Sequence, residues 1–437
     1  MSSVKVKVID ALMGTGKTQR MIHDMADLPE DVCIIYITPL LSETHRIAGT
    51  EFSIKDEKKK PLKNEFGCYI YDESHPLCQK RFRHPESQQG DGKIGGLKYL
   101  IENNHNIVAT HALFKMLTLE IVELLLSRNY YLFMDEVLDV WNVVDDDDID
   151  LKKDELSRLQ ENEHVFLDDD GYTLKFNHQR FGNVSGTAYE KIAGLCDLNQ
   201  LLIINKCAIW QMPSMALNAF KSIVVGTYLY EGSLLSAYFK HFGFEVEVER
   251  FGKKPSEIKH LINIVYNPDG RGKDSLNDIG EKINSLSYTK ITKDSDLQVE
   301  LGKKLSNYYK GSSRALANIN KAKQQDRLWT APKKVYKKIG GNAFKASWLA
   351  STVKATNDYS GRWALAYLIE KNMKPAMSVL LRKINAHVDE DIYALSELVQ
   401  WVWRSRIRKD QSIYVYVPSK RMRDLLENWL DDGMGCL

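Results

Sequence analysis

The sequence predicts an α/β protein of two tandem lobes, each built on a parallel sheet. Three observations lead there. Short β-rich runs alternate with helical stretches through the first half, the pattern of strands covered on both faces by helices. A glycine-rich loop falls between the first such run and the first helix. The second half opens and closes on runs of the same kind, and 437 residues exceed one ordinary core.

In chain order, VKVKVI (4–9) reads as a strand and TQRMIHDMADL (18–28) as the helix after it. DVCIIYITP (31–39), NIVATH (106–111), YYLFMDE (130–136) and SIVVGTYL (222–229) read as further strands. Their near-continuous apolar character suits a sheet buried on both sides. Between the last two lies an excursion, roughly 141–205, read as an insertion in the first lobe. Its run Asp145 to Asp148 lacks the glycine and spaced ligands of a cation loop and reads as a solvated acidic loop. Residues 245–262 read as the connection between lobes. The second lobe starts with LINIVYNP (261–268) and ends with the strand SIYVYVP (412–418) and the helix SKRMRDLLENWL (419–430), giving lobes of 1–250 and 251–437.

Composition narrows the class. With 43% hydrophobic and 27% charged residues the chain reads as globular, and no apolar run approaches the ~18–20 residues of a membrane span. The chain enters its first motif almost at once, so no signal peptide is expected. Six scattered cysteines without a CxxC pair suit the reducing cytoplasm. The net charge of +2 hides a split: residues 1–250 carry 27 Lys+Arg against 38 Asp+Glu, whereas 251–437 carry 33 against 20. A basic half in a near-neutral chain is the electrostatic footprint of a polyanion binder.

The strongest chemical signal is ALMGTGKT (11–18), set between strand and helix. Successive backbone N–H groups at a helix N-terminus make an anion cradle. Gly14 and Gly16 permit the tight path, Thr15 lies between them, Lys17 reaches the β/γ-phosphates of ATP, and Thr18 offers its hydroxyl to Mg2+. The second signal is YYLFMDEV, an apolar strand ending in two acids. It puts Asp135 where ligands of open α/β sheets bind, as a Mg2+ holder, and Glu136 where it orients and deprotonates an attacking water.

These segments resemble a superfamily 2 DExx-box helicase, specifically the compact helicases of bacteriophages and large DNA viruses. ALMGTGKT matches motif I and MDEV motif II. Thr38-Pro39-Leu40 resembles motif Ia, and Thr110-His111 motif Ib. Gly226-Thr227-Tyr228 resembles motif III, the coupling motif. Lys354-Ala-Thr356-Asn357-Asp358 resembles motif V, and Gln400-Trp-Val-Trp-Arg404-Ser-Arg406-Ile-Arg408 motif VI. The resemblance implies two RecA-like lobes, ATP hydrolysis with Mg2+, and arginines from the second lobe contacting the γ-phosphate. In motif VI the family places arginines four and seven residues after the glutamine. Here Arg404 is at +4 but +7 is Ile407. Arg404 and Arg408, four apart, would share one helix face, which favours Arg408, with Arg406 open if the helix is irregular.

The resemblance also implies a track for single-stranded nucleic acid, DNA rather than RNA by analogy with phage replication and repair. Thr38, Pro39, Thr110 and His111 fall at strand ends of the first lobe, and Thr356 and Asn357 in motif V. Residues 301–354 hold 13 Lys+Arg against the single acid Asp326, with aromatics interleaved, a pattern suited to phosphate neutralisation plus base stacking. WTAPKKVYKK (329–338) is the contact candidate, through Trp329, Lys333 and Lys334; Trp348 is expected in the core. The acidic insertion is a candidate surface for replication-protein partners. Cys68, His75, Cys78 and His84 fall close together but match no common zinc spacing, so buried thiols and surface histidines stand beside a zinc site as alternatives. Two other classes compete: a nucleotide-dependent switch that remodels a partner, and the motor of a packaging or nuclease assembly. A GTPase is disfavoured because no NKxD run follows the loop.

Overall fold

A computed structural model of the chain describes residues 4–48, 57, 62, 76–77, 79–86, 92–144, 153–265, 276–310, 316–352 and 358–433. Cys68, His75, Cys78, Asp145 to Asp148, Lys354, Thr356 and Asn357 lie outside the described residues. The chain divides into two compact α/β units. One comprises Met1–Asp10, Gly16–Arg250 and Lys374–Val388; the other comprises Ala11–Thr15, Phe251–Met373 and Asp389–Leu437.

The first unit holds β1 (Lys5–Ala11), β2 (Cys33–Thr38), β3 (Ile107–Thr110) and β4 (Tyr130–Asp135). An excursion follows with β5 (Trp141–Val143), β6 (Val165–Leu167), β7 (Leu174–Phe176), β8 (Leu201–Ile204) and β9 (Cys207–Gln211). The chain then returns through β10 (Ser222–Thr227) and β11 (Glu245–Phe251). The main sheet runs in the order β11-β1-β10-β4-β2-β3. Pairing is parallel from β1 through β10, β4 and β2 to β3. The strand after the glycine-rich loop's helix, β2, is thus not the spatial neighbour of β1: β10 and β4 lie between them. Val8, Ile9, Ile34, Tyr36, Leu132, Met134, Ile223 and Val225 are at or near zero exposure, so the predicted apolar runs are the buried strands.

Residues 245–251 are not a connection. EVEVERF forms the edge strand β11 beside β1, where its alternating acids point to solvent and discourage further pairing. Glu249 accepts an ion pair from Lys7 at 2.9 Å, and Lys7 and Arg20 both reach Asp24, at 3.5 and 3.0 Å.

The excursion is more than an acidic loop. It holds the antiparallel sheet β5-β9-β8, the hairpin β6-β7 and a hydrophobic cluster of its own around Leu174, Phe176, Ile192 and Cys196. The helix Pro375–Lys383, far away in sequence, packs on β5 and β8 and so belongs to this unit.

The second unit is built on β12 (Ile262–Val265), β13 (Arg327–Thr330), β14 (Ala364–Tyr367) and β15 (Ile413–Tyr416), in the order β12-β15-β14-β13 and parallel throughout. Helices Ser295–Lys310 and Tyr336–Phe344 pack together, and Glu390–Val402 packs against Lys420–Leu430. Tyr308, Tyr309, Trp329, Tyr416 and Trp429 are essentially unexposed. Their polar ends are satisfied inside: the Trp329 indole N–H donates to the Phe344 carbonyl at 2.8 Å, and the Tyr309 hydroxyl to the Leu328 carbonyl at 3.0 Å. No helix among the described residues is long and apolar enough to cross a membrane.

Candidate functional site

β1 delivers the chain to the glycine-rich loop. Gly14 has φ +83° and Gly16 φ +93°, backbone that side-chain-bearing residues rarely adopt, and a Cβ at either would meet nothing within 4 Å. The Thr15 hydroxyl donates to the Leu12 carbonyl at 2.6 Å, holding the turn. The helix Lys17–Ala26 starts at once, with Gly16 as its N-cap and no capping side chain. Its first N–H groups therefore have no capping side chain, the arrangement that attracts an anion. Lys17, at the head of the helix, is buried.

Beside the helix start β4 ends at Asp135, and the Thr18 hydroxyl lies 3.3 and 3.4 Å from its two carboxylate oxygens. Crowding by packed protein, then the charges of Glu136 and Glu43, push the Asp135 carboxyl up to about 7, while Lys17 pulls it down. A carboxylate so short of positive charge is what a divalent cation beside Thr18 would relieve. Glu136 follows at φ +64°, a left-handed conformation costly for a residue with a side chain, held by its N–H donating to the Gly226 carbonyl at 2.9 Å.

Gly226 and Thr227 end β10, between β1 and β4. A Cβ on Gly226 would sit 2.9 Å from Met21 Cε and 3.8 Å from Asp135 Oδ1, so glycine lets the helix lie close over the sheet. Thr227 pairs in register with Asp10; Thr227 Oγ1 and Asp10 Oδ1 are buried without a hydrogen-bond partner. Burial raises the Asp10 carboxyl above its ordinary range, against the Tyr230 N–H donated at 3.2 Å. Such orphaned oxygens at a sheet's C-terminal edge suit a polar ligand. Tyr36, Glu43 and Asp10 had no motif to announce them; only the fold sets them around Asp135 and the loop.

Of the other expected residues, Thr38 and Thr110 end β2 and β3 opposite each other, with Pro39 half-buried beside them. Thr38 is buried, its hydroxyl oxygen without a partner, and the Thr110 hydroxyl accepts from the Leu113 N–H at 3.3 Å as a helix cap. His111 is buried in the short helix that Thr110 caps, which makes its ring part of the packing.

Two expectations in the second unit are corrected. Arg404 and Arg408 do not share a helix face. The helix carrying Gln400 ends at Val402, and Ser405, in an extended conformation, caps a new 3-10 turn, Arg406–Lys409. Arg404 is buried and Arg408 exposed. Arg406 is tied within the unit: its Nε donates to the Ser412 carbonyl at 2.6 Å and its guanidinium lies 5.3 Å from the Trp363 ring centre. Second, Trp329 and Trp348 exchange places. Trp329 is core and offers no face to a base. Trp348 is half-buried, stacked on Tyr336 at 4.0 Å, with exposed Lys333 and Lys334 nearby in the chain. His84, from the candidate zinc group, lies 4.8 Å from the His45 ring.

Fold and site together define an α/β protein with a glycine-rich phosphate-type loop between its first strand and first helix and a Rossmann-like C-terminal region. Residues 256–430 match the model described as the YonV C-terminal Rossmann-like domain. The chain is 31% identical over 449 residues to the SPbeta prophage-derived uncharacterized protein YonV of Bacillus subtilis (strain 168), covering 98% of this chain and 99% of the relative. It belongs to the YonV family. Among solved structures it is similar to an XPD helicase, with a TM-score of 0.41 at 12% identity over 100% of this chain and 91% of that one, a distance at which the likeness says nothing about chemistry.

Proposed function

We propose that this protein hydrolyses ATP with Mg2+ and uses the energy to move along or separate strands of nucleic acid, in the manner of a superfamily 2 helicase. The observation that carries the reading is the meeting of Thr18 with Asp135 beneath an open glycine loop. In this reading Gly14, Thr15 and Gly16 offer backbone N–H groups to phosphate oxygens, and Lys17 neutralises the terminal phosphates. Thr18 and Asp135 hold the cation, which offsets phosphate charge when bound. Glu136, aimed by its left-handed backbone, accepts the proton of the attacking water at its carboxylate. Gly226 and Thr227 carry the change in site occupancy into β10. Arg404 and Arg408 serve the γ-phosphate, and Gln400 the site around it, with Arg406 as the alternative second arginine.

DNA is the favoured polymer. The relative's printed name places that protein in a prophage, which agrees with a part in phage-type replication, recombination or repair inside the host cytoplasm. The acidic insertion remains the proposed surface for replication partners. The competing reading is a nucleotide-dependent switch that remodels a protein.

ATPase activity of the wild type and Lys17→Ala, each with and without single-stranded DNA, tests the proposal. Several-fold stimulation by DNA is expected for wild type, with no turnover in the variant. Hydrolysis by wild type that is indifferent to every nucleic acid would favour the switch, and equal turnover in the two proteins would remove the loop from the chemistry.

A further inference from the structure

We propose that the stacked pair Tyr336–Trp348 is a base-stacking platform for a single-stranded nucleic acid, with the surrounding lysines neutralising its phosphates. The inference rests on the nucleic-acid reading above and gives it a place.

The pair stands apart from the other aromatics of the second unit. Tyr308, Tyr309, Trp329 and Phe344 are buried, with Tyr309 packed between Tyr308 and Phe344. Tyr336 and Trp348 stack at 4.0 Å with 18° between planes, yet both keep part of their surface in solvent. The stack is rigidly based. The Trp348 indole N–H donates to the Ala331 carbonyl at 3.1 Å, and Trp348 bridges in parallel to Trp329 on the edge strand β13. The next residue, Leu349, donates its N–H to the Trp329 carbonyl at 2.9 Å. Burial of Trp329 is thus what holds Trp348 in place, and Gly340 makes it possible: a Cβ there would lie 2.3 Å from the Trp329 ring. A preformed aromatic ledge gains stacking energy without paying to order itself.

Charge completes the site. Lys333, Lys334, Lys337, Lys338 and Lys345 are all exposed. Residues 327–352 contain no acidic side chain, so the segment itself is purely cationic. The segment follows the C-terminal end of β13, the side of a parallel sheet on which ligands gather. An acidic peptide would satisfy the lysines but has no use for a partly exposed aromatic stack. A single strand uses both, because every base has a π-face.

Fluorescence anisotropy of the full chain with oligothymidylate, and with an abasic strand of equal length, tests this. Tyr336→Ala should bind oligothymidylate about 10-fold more weakly and the abasic strand as well as the parent does. Tyr336→Leu, which keeps bulk without the π-face, should behave alike if Ala impairs folding, and Trp348→Phe should stay near the parent. The double change Lys333→Ala with Lys334→Ala should weaken both strands equally and reduce the slope of log affinity against log salt by about 1.4. Unchanged oligothymidylate binding by both Tyr336 variants, or equal losses on the two strands, overturns the platform while leaving the ATPase reading standing. Competition by polyglutamate as effective as that by oligothymidylate overturns it in favour of an acidic protein. A parent that binds neither strand removes the platform and the nucleic-acid reading together.

Discussion

Asp135 holds its proton to a pH near 7, where an ordinary aspartate loses it near 3.8. The folded chain therefore retains that proton longer than the unfolded chain does. The group's contribution to stability is greatest below pH about 4 and is lost as pH rises to about 7. Asp135→Asn should consequently melt higher than wild type at about pH 8 without metal, and differ little at about pH 4. A wild-type Tm that gains on the variant across that range would contradict the account. Mg2+ with nucleotide should stabilise wild type more as pH rises, since only the ionised carboxylate binds the cation, and should stabilise the variant little. The sequence announced Asp135 through MDEV. Its perturbation came first from burial, then from Glu136 and Glu43, and Glu43 reaches it only because the helix Leu41–Ile47 follows β2 at the same sheet edge.

At the scale of elements, the break after Val402 separates roles that a continuous helix would have merged. Arg406→Ala should cost about 1–2 kcal/mol, through the lost hydrogen bond to Ser412 and the Trp363 contact. Arg408→Ala should abolish turnover while leaving nucleotide binding nearly intact. Turnover kept in Arg408→Ala and lost in Arg406→Ala would assign the γ-phosphate role to Arg406. Gly340→Ala places a methyl against the Trp329 ring and should destabilise by about 1–3 kcal/mol, read as a lowered denaturation midpoint. The strands of the first sheet were legible because they are runs of β-formers buried on both faces. β11 was not, because EVEVERF is an exposed edge whose alternation resembles a charged linker. The four-residue strands β13 and β14 gave too short a signal to separate from the aromatic-basic surroundings.

At the scale of the molecule, the helix Pro375–Lys383 lies beyond the first half of the sequence yet packs with β5 and β8. A fragment ending at Arg250 should therefore expose the apolar face that Met377, Leu380 and Leu381 cover. It should bind a hydrophobic dye and melt below the corresponding transition of the full chain, and a peptide spanning 374–388 should reverse both effects. A fragment as stable as the full chain, with no dye binding, would show the helix to be dispensable. This return of the chain has no sequence signature, because its helix looks like any other amphipathic helix.

The sequence by itself determined the α/β class, the strands of the first sheet and the strand–loop–helix carrying Lys17. Each of these is set by local periodicity or by backbone that only glycine adopts. Tertiary structure alone decided that Trp329 is core and Trp348 half-exposed, that Ser405 breaks the arginine helix, and that Tyr36 and Glu43 gather with Asp135. Those outcomes depend on which side chains meet after distant segments pack, and a ring or carboxylate carries the same letter whether neighbours cover it or water does.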